Sequence, residues 1–251
     1  MTKVIMHGCN GAMGQVITKL TRDDEDLSIV AGIDVIDNKD NGYPVFTDAL
    51  KCDVSADVII DFSVAKATNA IIDYAVIRQI PIILCTTGLN EDQLGYIMKK
   101  SKEVAILKSA NMSLGINLIF KLAAEAAKVL ATAGYDIEIF EKHHNQKVDA
   151  PSGTALAIAD AINIAMNHAY EYKLDRSQER VKRDKKEIGI QAARGGSIVG
   201  EHEVFFCGPD EVLEIKHTAY SKAIFAKGAL SAAKYLKGKK PGLYDMKDVI
   251  G

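Results

Sequence analysis

A short apolar strand that breaks into glycines and resumes as a helix restricts this chain more than any other local pattern in it. Lys3 to His7 is apolar and strand-like, G-C-N-G-A-M-G follows at once from Gly8 to Gly14, and V-I-T-K-L continues as a helix. Gly11 and Gly14 take the last two places of G-x-G-x-x-G. Cys9 stands in the first place with Gly8 one residue early, so the motif is a G-x-x-G-x-x-G variant. In that setting the backbone N–H groups of Asn10 to Met13 face a pyrophosphate at the helix N-terminus. The next strand, Leu27 to Ile33, ends in Asp34, twenty residues after Gly14. This is where a dinucleotide site places an acid on the adenosine ribose hydroxyls. An aspartate at a strand end is common by itself; the glycine turn upstream gives the pair its meaning. Val35 follows, so no arginine stands there to accept a ribose 2′-phosphate.

The strand–helix rhythm continues through the first half of the chain. Strands are predicted at Asp57 to Phe62, Pro81 to Cys85 and Val104 to Leu107, with helices from about Ala65 to Arg78 and from Asn90 to Ser101. Each strand exits into small polar residues: Phe62–Ser63, Cys85 to Thr87, and Ser109 to Ser113. Taken singly these are turn chemistry. In a parallel sheet they line up at the carboxyl edge, where ligands bind. The fold class is therefore α/β, with a Rossmann-type parallel-sheet nucleotide domain.

A second cluster lies at Glu141 to Ala155, E-K-H-H-N-Q-K-V-D-A-P-S-G-T-A. The run before it, Tyr135 to Phe140, alternates apolar and acidic residues as a half-buried strand does, and Ala155 to Ala165 is helical. Pro151 suits the first turn of that helix, and Ser152 and Thr154 are candidate caps. Gly153 lets a ligand approach the backbone. Helix-start N–H groups with Lys147 nearby make a site for a carboxylate or phosphate. On a regular strand His143 and His144 point to opposite faces, so one of them lies over the reacting atoms. An isolated His-His pair is usually solvated; five polar groups at one helix start read as an active site.

The remainder reads as a second domain. Gly115 to Ala133 is a long helix leaving the nucleotide domain. Tyr172 to Lys186 is dense in charges of both signs, a solvated loop rather than a nucleic-acid patch. Three strand-like runs follow, Glu187 to Ala193, Ser197 to Phe206 and Glu211 to Ala219. With Tyr135 to Glu141 they make a four-stranded open mixed sheet in an α+β domain, whose exposed edges need cover. A helix from Lys222 to Leu236 and a tail close the chain.

Composition excludes several function classes. Charged residues make up 25% and the net charge is −2, which gives no general attraction to nucleic acid or anionic membrane. No apolar run reaches the roughly 20 residues of a membrane helix, and the N-terminus does not read as a signal peptide. Cys9, Cys52, Cys85 and Cys207 lack metal or disulfide spacing, which predicts reduced thiols in a cytoplasmic protein and no metal.

With these motifs together, the chain resembles the dihydrodipicolinate reductase family. E-K-H-H-N-Q-K-V-D-A-P-S-G-T-A resembles the signature E-x-H-H-x-x-K-x-D-A-P-S-G-T-A at every fixed position. G-C-N-G-A-M-G, D-F-S, C-T-T-G, S-A-N-M-S-L-G-I-N, R-G-G-S-I-V-G-E-H and G-L-Y-D-M-K-D-V resemble further family motifs, from residue 8 to residue 249. Cys85 departs from the family's G-T-T-G.

The resemblance implies reduction of 4-hydroxy-tetrahydrodipicolinate in lysine and diaminopimelate biosynthesis. It implies His143 as the acid that protonates the ring carbon and Lys147 as the cation that steadies developing charge. His144, Lys147 and the N–H groups of Gly153 and Thr154 would hold the carboxylates of a cyclic dicarboxylate substrate. Implied cofactor contacts are Gly8, Cys9, Asn10, Gly11, Ala12, Met13, Asp34, Cys85, Thr86, Thr87, Ser109, Ala110, Asn111 and Met112. Asp34 followed by Val35 predicts NADH as the preferred cofactor, and the resemblance implies that NADPH is also used. Asp149 is expected to orient Lys147 or the helix start. The family plan returns the last helix to the nucleotide domain, giving residues 1–113 and 222–251 for dinucleotide binding and 114–221 for substrate binding and assembly into a homotetramer. Another NAD-dependent oxidoreductase, or a non-catalytic NAD sensor, explains the first half equally well. Neither explains the His-Lys stretch.

Overall fold

A computed structural model describes residues 1–251. The chain forms two compact units, Met1–Ser113 with Ala223–Gly251, and Leu114–Lys222.

The first unit is built on a seven-stranded sheet whose paired strands all run parallel. Its strands are β1 (Thr2–His7), β2 (Leu27–Ile33), β3 (Val45–Phe46), β4 (Val58–Asp61), β5 (Ile82–Leu84), β6 (Ala105–Lys108) and β12 (Gly242–Tyr244), in the order β12-β6-β5-β4-β1-β2-β3. The central strands are nearly continuous apolar runs because helices cover both faces. Their two-residue period divides the side chains cleanly. Val4, Met6, Val58, Ile60 and Ile83 pack on the side of α1 (Ala12–Thr21) and α6 (Ala223–Leu236). Ile5, Ile59, Ile82 and Leu84 pack on the side of α2 (Thr68–Arg78) and α3 (Glu91–Lys100). Each such buried side chain is worth roughly 2 kcal/mol. Asn90 caps α3 and forms a reciprocal capping box with Gln93.

Helix α6 approaches the sheet closely because its inner face is Ala226, Ala229, Ala232 and Ala233. At Gly228 a Cβ would lie 1.6 Å from the Met112 carbonyl oxygen, so only glycine allows this helix against the loop after β6. The C-terminal tail is more ordered than its composition indicates. Gly242–Tyr244 adds the outermost strand beside β6, and α7 (Met246–Ile250) follows under an Asp245 cap.

The second unit contains α4 (Leu114–Leu130), β7 (Asp136–His143), α5 (Gly153–Ala165), β8 (Glu171–Lys173), β9 (Glu187–Arg194), β10 (Gly200–Cys207) and β11 (Val212–Ala219). The sheet is mixed and has five strands, β11-β10-β7-β9-β8, rather than the four expected. The added strand is Glu171–Lys173, at the start of the segment read as a solvated loop. Three residues paired parallel to β9 leave no periodicity to detect, and Tyr172 packs into the core. The rest of that segment is tethered too, since Arg183 pairs with Asp136 at 2.9 Å and Glu138 at 3.0 Å.

Helices α4 and α5 cover one face of this sheet, burying Ile137, Ile139, Ile188, Ile190, Val204 and Phe206. The opposite face carries Phe140 edge-on to Phe205, with Lys142 and Lys216 bridging Glu201 and Glu203. No helix is long and apolar enough to cross a membrane.

Candidate active site

In the first unit the tight turn after β1 has the shape of a phosphate cradle. Gly8 sits at φ +79°, and a Cβ on Gly14 would lie 2.3 Å from the Gly8 carbonyl oxygen. Glycine is thus required where the helix meets the strand. Asp34 directly follows β2, and its two oxygens accept the N–H groups of Asn10 at 2.8 Å and Val35 at 2.7 Å. Each oxygen keeps a lone pair, so a ribose diol still has two acceptors. One expectation needs correcting: the Asn10 N–H faces Asp34 and is not presented to a pyrophosphate. The donors at the start of α1 are those from Ala12 and Met13 onward. Lys39 Nζ donates to the Asn10 carbonyl at 2.8 Å, and Asn41 donates to the Asn10 side chain at 2.8 Å. These bonds bind the loop after β2 to the glycine turn.

Asp34, Val35 and His7 line a crevice of about 470 Å³ with an apolar wall from Ala67, Ala70 and Ile71. A glycine cradle, an acid at the end of the second strand and an apolar slot fit a dinucleotide. Around them several implied contact residues point inward. Cys9 is fully buried, and a Cβ on Gly32 would lie 2.6 Å from its sulfur. Met112 is buried in the core cluster that includes α6. Thr86 turns its hydroxyl to Asp61 at 2.7 Å, whereas Thr87 is exposed. Of the loop after β6, Ala110 is exposed, Ser109 is half-buried, and Asn111 accepts the Ser113 N–H at 2.8 Å.

Cys85 is half-buried; burial and then the Asp61 charge push its thiol well above the ordinary range. It is a neutral apolar side chain at this rim.

No local sequence pattern pairs His7 with Asp61. Their side chains meet at 2.7 Å at the ends of adjacent strands. Burial opposes ionisation of Asp61, yet the bonds from His7 and Thr86 hold its carboxyl below the usual range.

The second unit places the His-Lys stretch at the polar end of its core. The helix-facing side of β7 reads Ile137, Ile139, Glu141, His143, apolar and then ionisable. The same row on β10 reads Phe206, Val204, His202, Gly200. Glu141 is buried and accepts four bonds. His143 Nδ1 lies at 2.6 Å, the two Arg194 terminal nitrogens at 2.7 Å each, and the Ser152 N–H at 2.9 Å. Burial alone would raise its pKa; Arg194, His143 and the Ser152 N–H lower it.

His143 is driven the other way. Burial lowers its pKa, Glu141 opposes this, and the Lys147 and Arg194 charges add to the lowering. The His202 ring stands edge-on to it at 5.1 Å. His202 Nε2 lies 3.1 Å from Ser152 Oγ, and burial, with His143 next, takes its pKa down to about 3.

Helix α5 begins at Gly153 with Ser152 as its cap, the Ser152 hydroxyl accepting the Ala155 N–H. Pro151 therefore precedes the cap, and Thr154 lies inside the first turn. Lys147 Nζ is 2.8 Å from Asp149 Oδ1, the orienting contact expected of Asp149. His144 follows the strand, and its carbonyl accepts the Lys147 N–H at 3.1 Å. His143, His144, Lys147, Gly153 and Thr154 thus lie around one strand end and one helix start. Glu141, Arg194 and His202 join them; all three stand in the quoted motifs, but no role follows for them from the sequence alone. Glu141 was accessible through its i, i+2 relation to His143 on a strand. Arg194 and His202 are the first and last residues of R-G-G-S-I-V-G-E-H, a motif that marks them without showing which distant strand they meet.

Comparison with known proteins agrees along the whole chain. Residues 2–112 match the family model described as Dihydrodipicolinate reductase, N-terminus, and residues 115–250 the one described as Dihydrodipicolinate reductase, C-terminus. A protein of Caldanaerobacter subterraneus subsp. tengcongensis named 4-hydroxy-tetrahydrodipicolinate reductase is 50% identical over 250 residues, spanning 100% of this chain and 98% of its own. One of Clostridium novyi with the same name is also 50% identical over 250 residues, with the same coverage. A solved structure described as dipicolinate-bound dihydrodipicolinate reductase from Paenisporosarcina sp. TG-14 has a TM-score of 0.83 at 22% identity over 100% of both chains, a likeness of fold. With two family models spanning nearly all its residues and half its sequence shared with named reductases, the chain belongs to the dihydrodipicolinate reductase family.

Proposed function

We propose that this chain reduces 4-hydroxy-tetrahydrodipicolinate to tetrahydrodipicolinate in the diaminopimelate and lysine pathway, in the cytoplasm, with NADH preferred over NADPH. The observation that carries the reading is His143 and Lys147 gathered at the Ser152-capped start of α5, in a chain 50% identical to reductases of that name. Residues 1–113 and 222–251 hold the dinucleotide, and residues 114–221 hold the substrate and the assembly surface.

The dinucleotide supplies hydride when bound; its phosphates fit the start of α1 and its ribose fits Asp34. Around it the rim is Gly8 to Met13, Cys85 to Thr87 and Ser109 to Met112. The backbone serves where side chains turn inward, as at Cys9 and Thr86.

Reduction of a carbon–carbon double bond conjugated to an imine needs a proton at the carbon next to the one that takes hydride. His143 holds that proton on Nε2, because Nδ1 is committed to the Glu141 carboxylate. In the free protein, burial and nearby cations keep the ring neutral. A dicarboxylate bound beside it reverses that balance, so substrate arrives together with the proton it will need. Lys147 faces the substrate as a cation, steadies developing negative charge and assists loss of the hydroxyl. His144 and the N–H groups of Gly153 and Thr154 orient the carboxylates.

The outward sheet face with Phe140, Phe205 and the strand edge at β11 packs against other copies in a homotetramer. Growth of a diaminopimelate auxotroph lacking this reductase tests the function. Rescue by the wild-type chain is expected, and failure of a soluble, expressed chain to rescue contradicts it.

A further inference from the structure

We propose that Glu141 and Arg194 are a positioning pair that sets the tautomer and aim of His143 and ties it to the Lys147 loop. This rests on the reading of His143 as the proton donor. Glu141 has no exposed side-chain surface, and each of its oxygens accepts two donors. A carboxylate so occupied can only accept, so the proton of His143 is held on Nδ1 and its exchangeable position is Nε2. Nε2 faces Gly200, where a Cβ would stand 3.0 Å away. A side chain there would crowd the nitrogen that transfers the proton. The His202 ring walls another side.

Arg194 extends the arrangement. While its two terminal nitrogens clamp Glu141, one of them also donates to the Asp149 carbonyl at 2.6 Å, and Asp149 holds Lys147 at 2.8 Å. A single guanidinium thus connects the support of the acid to the loop that carries the cation. Lysine cannot reproduce this, because the contact uses the planar two-nitrogen fork. The charged and titratable groups facing His143 are Glu141 on its own strand, Arg194 from β9, His202 from β10 and Lys147 from the following loop. Glu141 is the one negative group among them, so it is what favours the imidazolium.

The test is Glu141→Gln, which keeps shape and a carbonyl acceptor but removes the charge. In purified protein, kcat is expected to fall at least about tenfold, with KM for the cofactor unchanged within about threefold. The fall of kcat at high pH, where the acid is lost, should move to lower pH by about one unit. In a His143→Ala background the same substitution should cost no more than about twofold. An equal loss in both backgrounds, or an unshifted pH profile, overturns the proposal. Should His143→Ala itself retain wild-type turnover, the acid assignment falls and the pairing falls with it. If Glu141→Gln does not fold, Arg194→Lys decides. It loses the fork but keeps the Glu141 charge, so it should lower kcat while the high-pH fall of kcat does not move down, and a wild-type kcat would overturn the pairing.

Discussion

Lys147 Nζ and Asp149 Oδ1 stand 2.8 Å apart at the mouth of helix α5, so the cation proposed to hold a substrate carboxylate already holds one of the chain's own. Lys147, with the Gly153 N–H a smaller contributor, lowers the Asp149 pKa. Asp149 is more than half exposed, and the pair is worth little to stability in that setting. If Lys147 holds the substrate as proposed, binding exchanges one carboxylate for another. Lys147→Ala should therefore lower turnover about a hundredfold or more. Asp149→Asn keeps the backbone carbonyl and removes the competitor, so dipicolinate should bind it no more weakly than wild type. Steady-state kinetics and calorimetry check both; near wild-type turnover in folded Lys147→Ala contradicts the first.

The buried histidines make stability depend on acid. His202 has a pKa of about 3 when folded, far below an unfolded histidine, and those of His143 and His217 are lowered as well. Between pH 6.5 and 3 the unfolded chain binds the His202 proton and the folded chain does not. Stability from this group is therefore present above pH 6.5 and lost as pH falls, by about 1.4 kcal/mol per pH unit. The carboxylates Asp61 and Glu141, both lowered, add to the loss once the pH falls below their unfolded values of 3.8 and 4.5. Urea midpoints at pH 5 should lie clearly below those at pH 7, and His202→Gln should narrow the gap. Equal midpoints for the wild type contradict the account.

Cofactor choice follows from Asp34 and its neighbours. Val35 is 83% exposed and offers no cation, while Asp34 repels a 2′-phosphate. Lys39 is the nearby compensation, and its ammonium is held on the Asn10 carbonyl. NADH should be preferred in kcat/KM by about tenfold, equivalent to about 1.4 kcal/mol. Val35→Arg should move the ratio toward NADPH, and an NADPH advantage in the wild type refutes the reading.

The proposed assembly draws on the outward sheet face. Phe140 is 40% exposed beside Phe205, and Val212 is exposed on the same face of the edge strand β11. Apolar side chains on an open sheet with a free edge need cover. Light scattering should give a tetramer at micromolar concentration, and a fully active monomer would rule the arrangement out.

Much of this was readable from the chain, and the limits have physical causes. The parallel sheet was visible because its strands are buried on both faces and appear as apolar runs, such as Val58 to Ile60 and Ile82 to Leu84. The two-residue alternation marked β7, and the polar run after it marked the site. Glu171–Lys173 and Gly242–Tyr244 were not recognised as strands, because three residues become a strand only through a neighbour already in place. The pairing of His7 with Asp61 depends on the register of β1 against β4, and the clamp of Arg194 on Glu141 on that of β9 against β7. Register across 53 or 54 residues is a tertiary property. The Asn10 N–H also escaped the sequence reading, since the glycine motif places it at a pyrophosphate but does not show that Asp34 reaches it first.

The most direct test is the rate at which purified chain oxidises NADH when freshly generated 4-hydroxy-tetrahydrodipicolinate is added, measured side by side with His143→Ala. The account predicts substrate-dependent oxidation by the wild type and a rate lower by about a hundredfold in the variant, with NADH affinity little changed. No substrate-dependent oxidation by folded wild type, or equal rates in the two proteins, would contradict it.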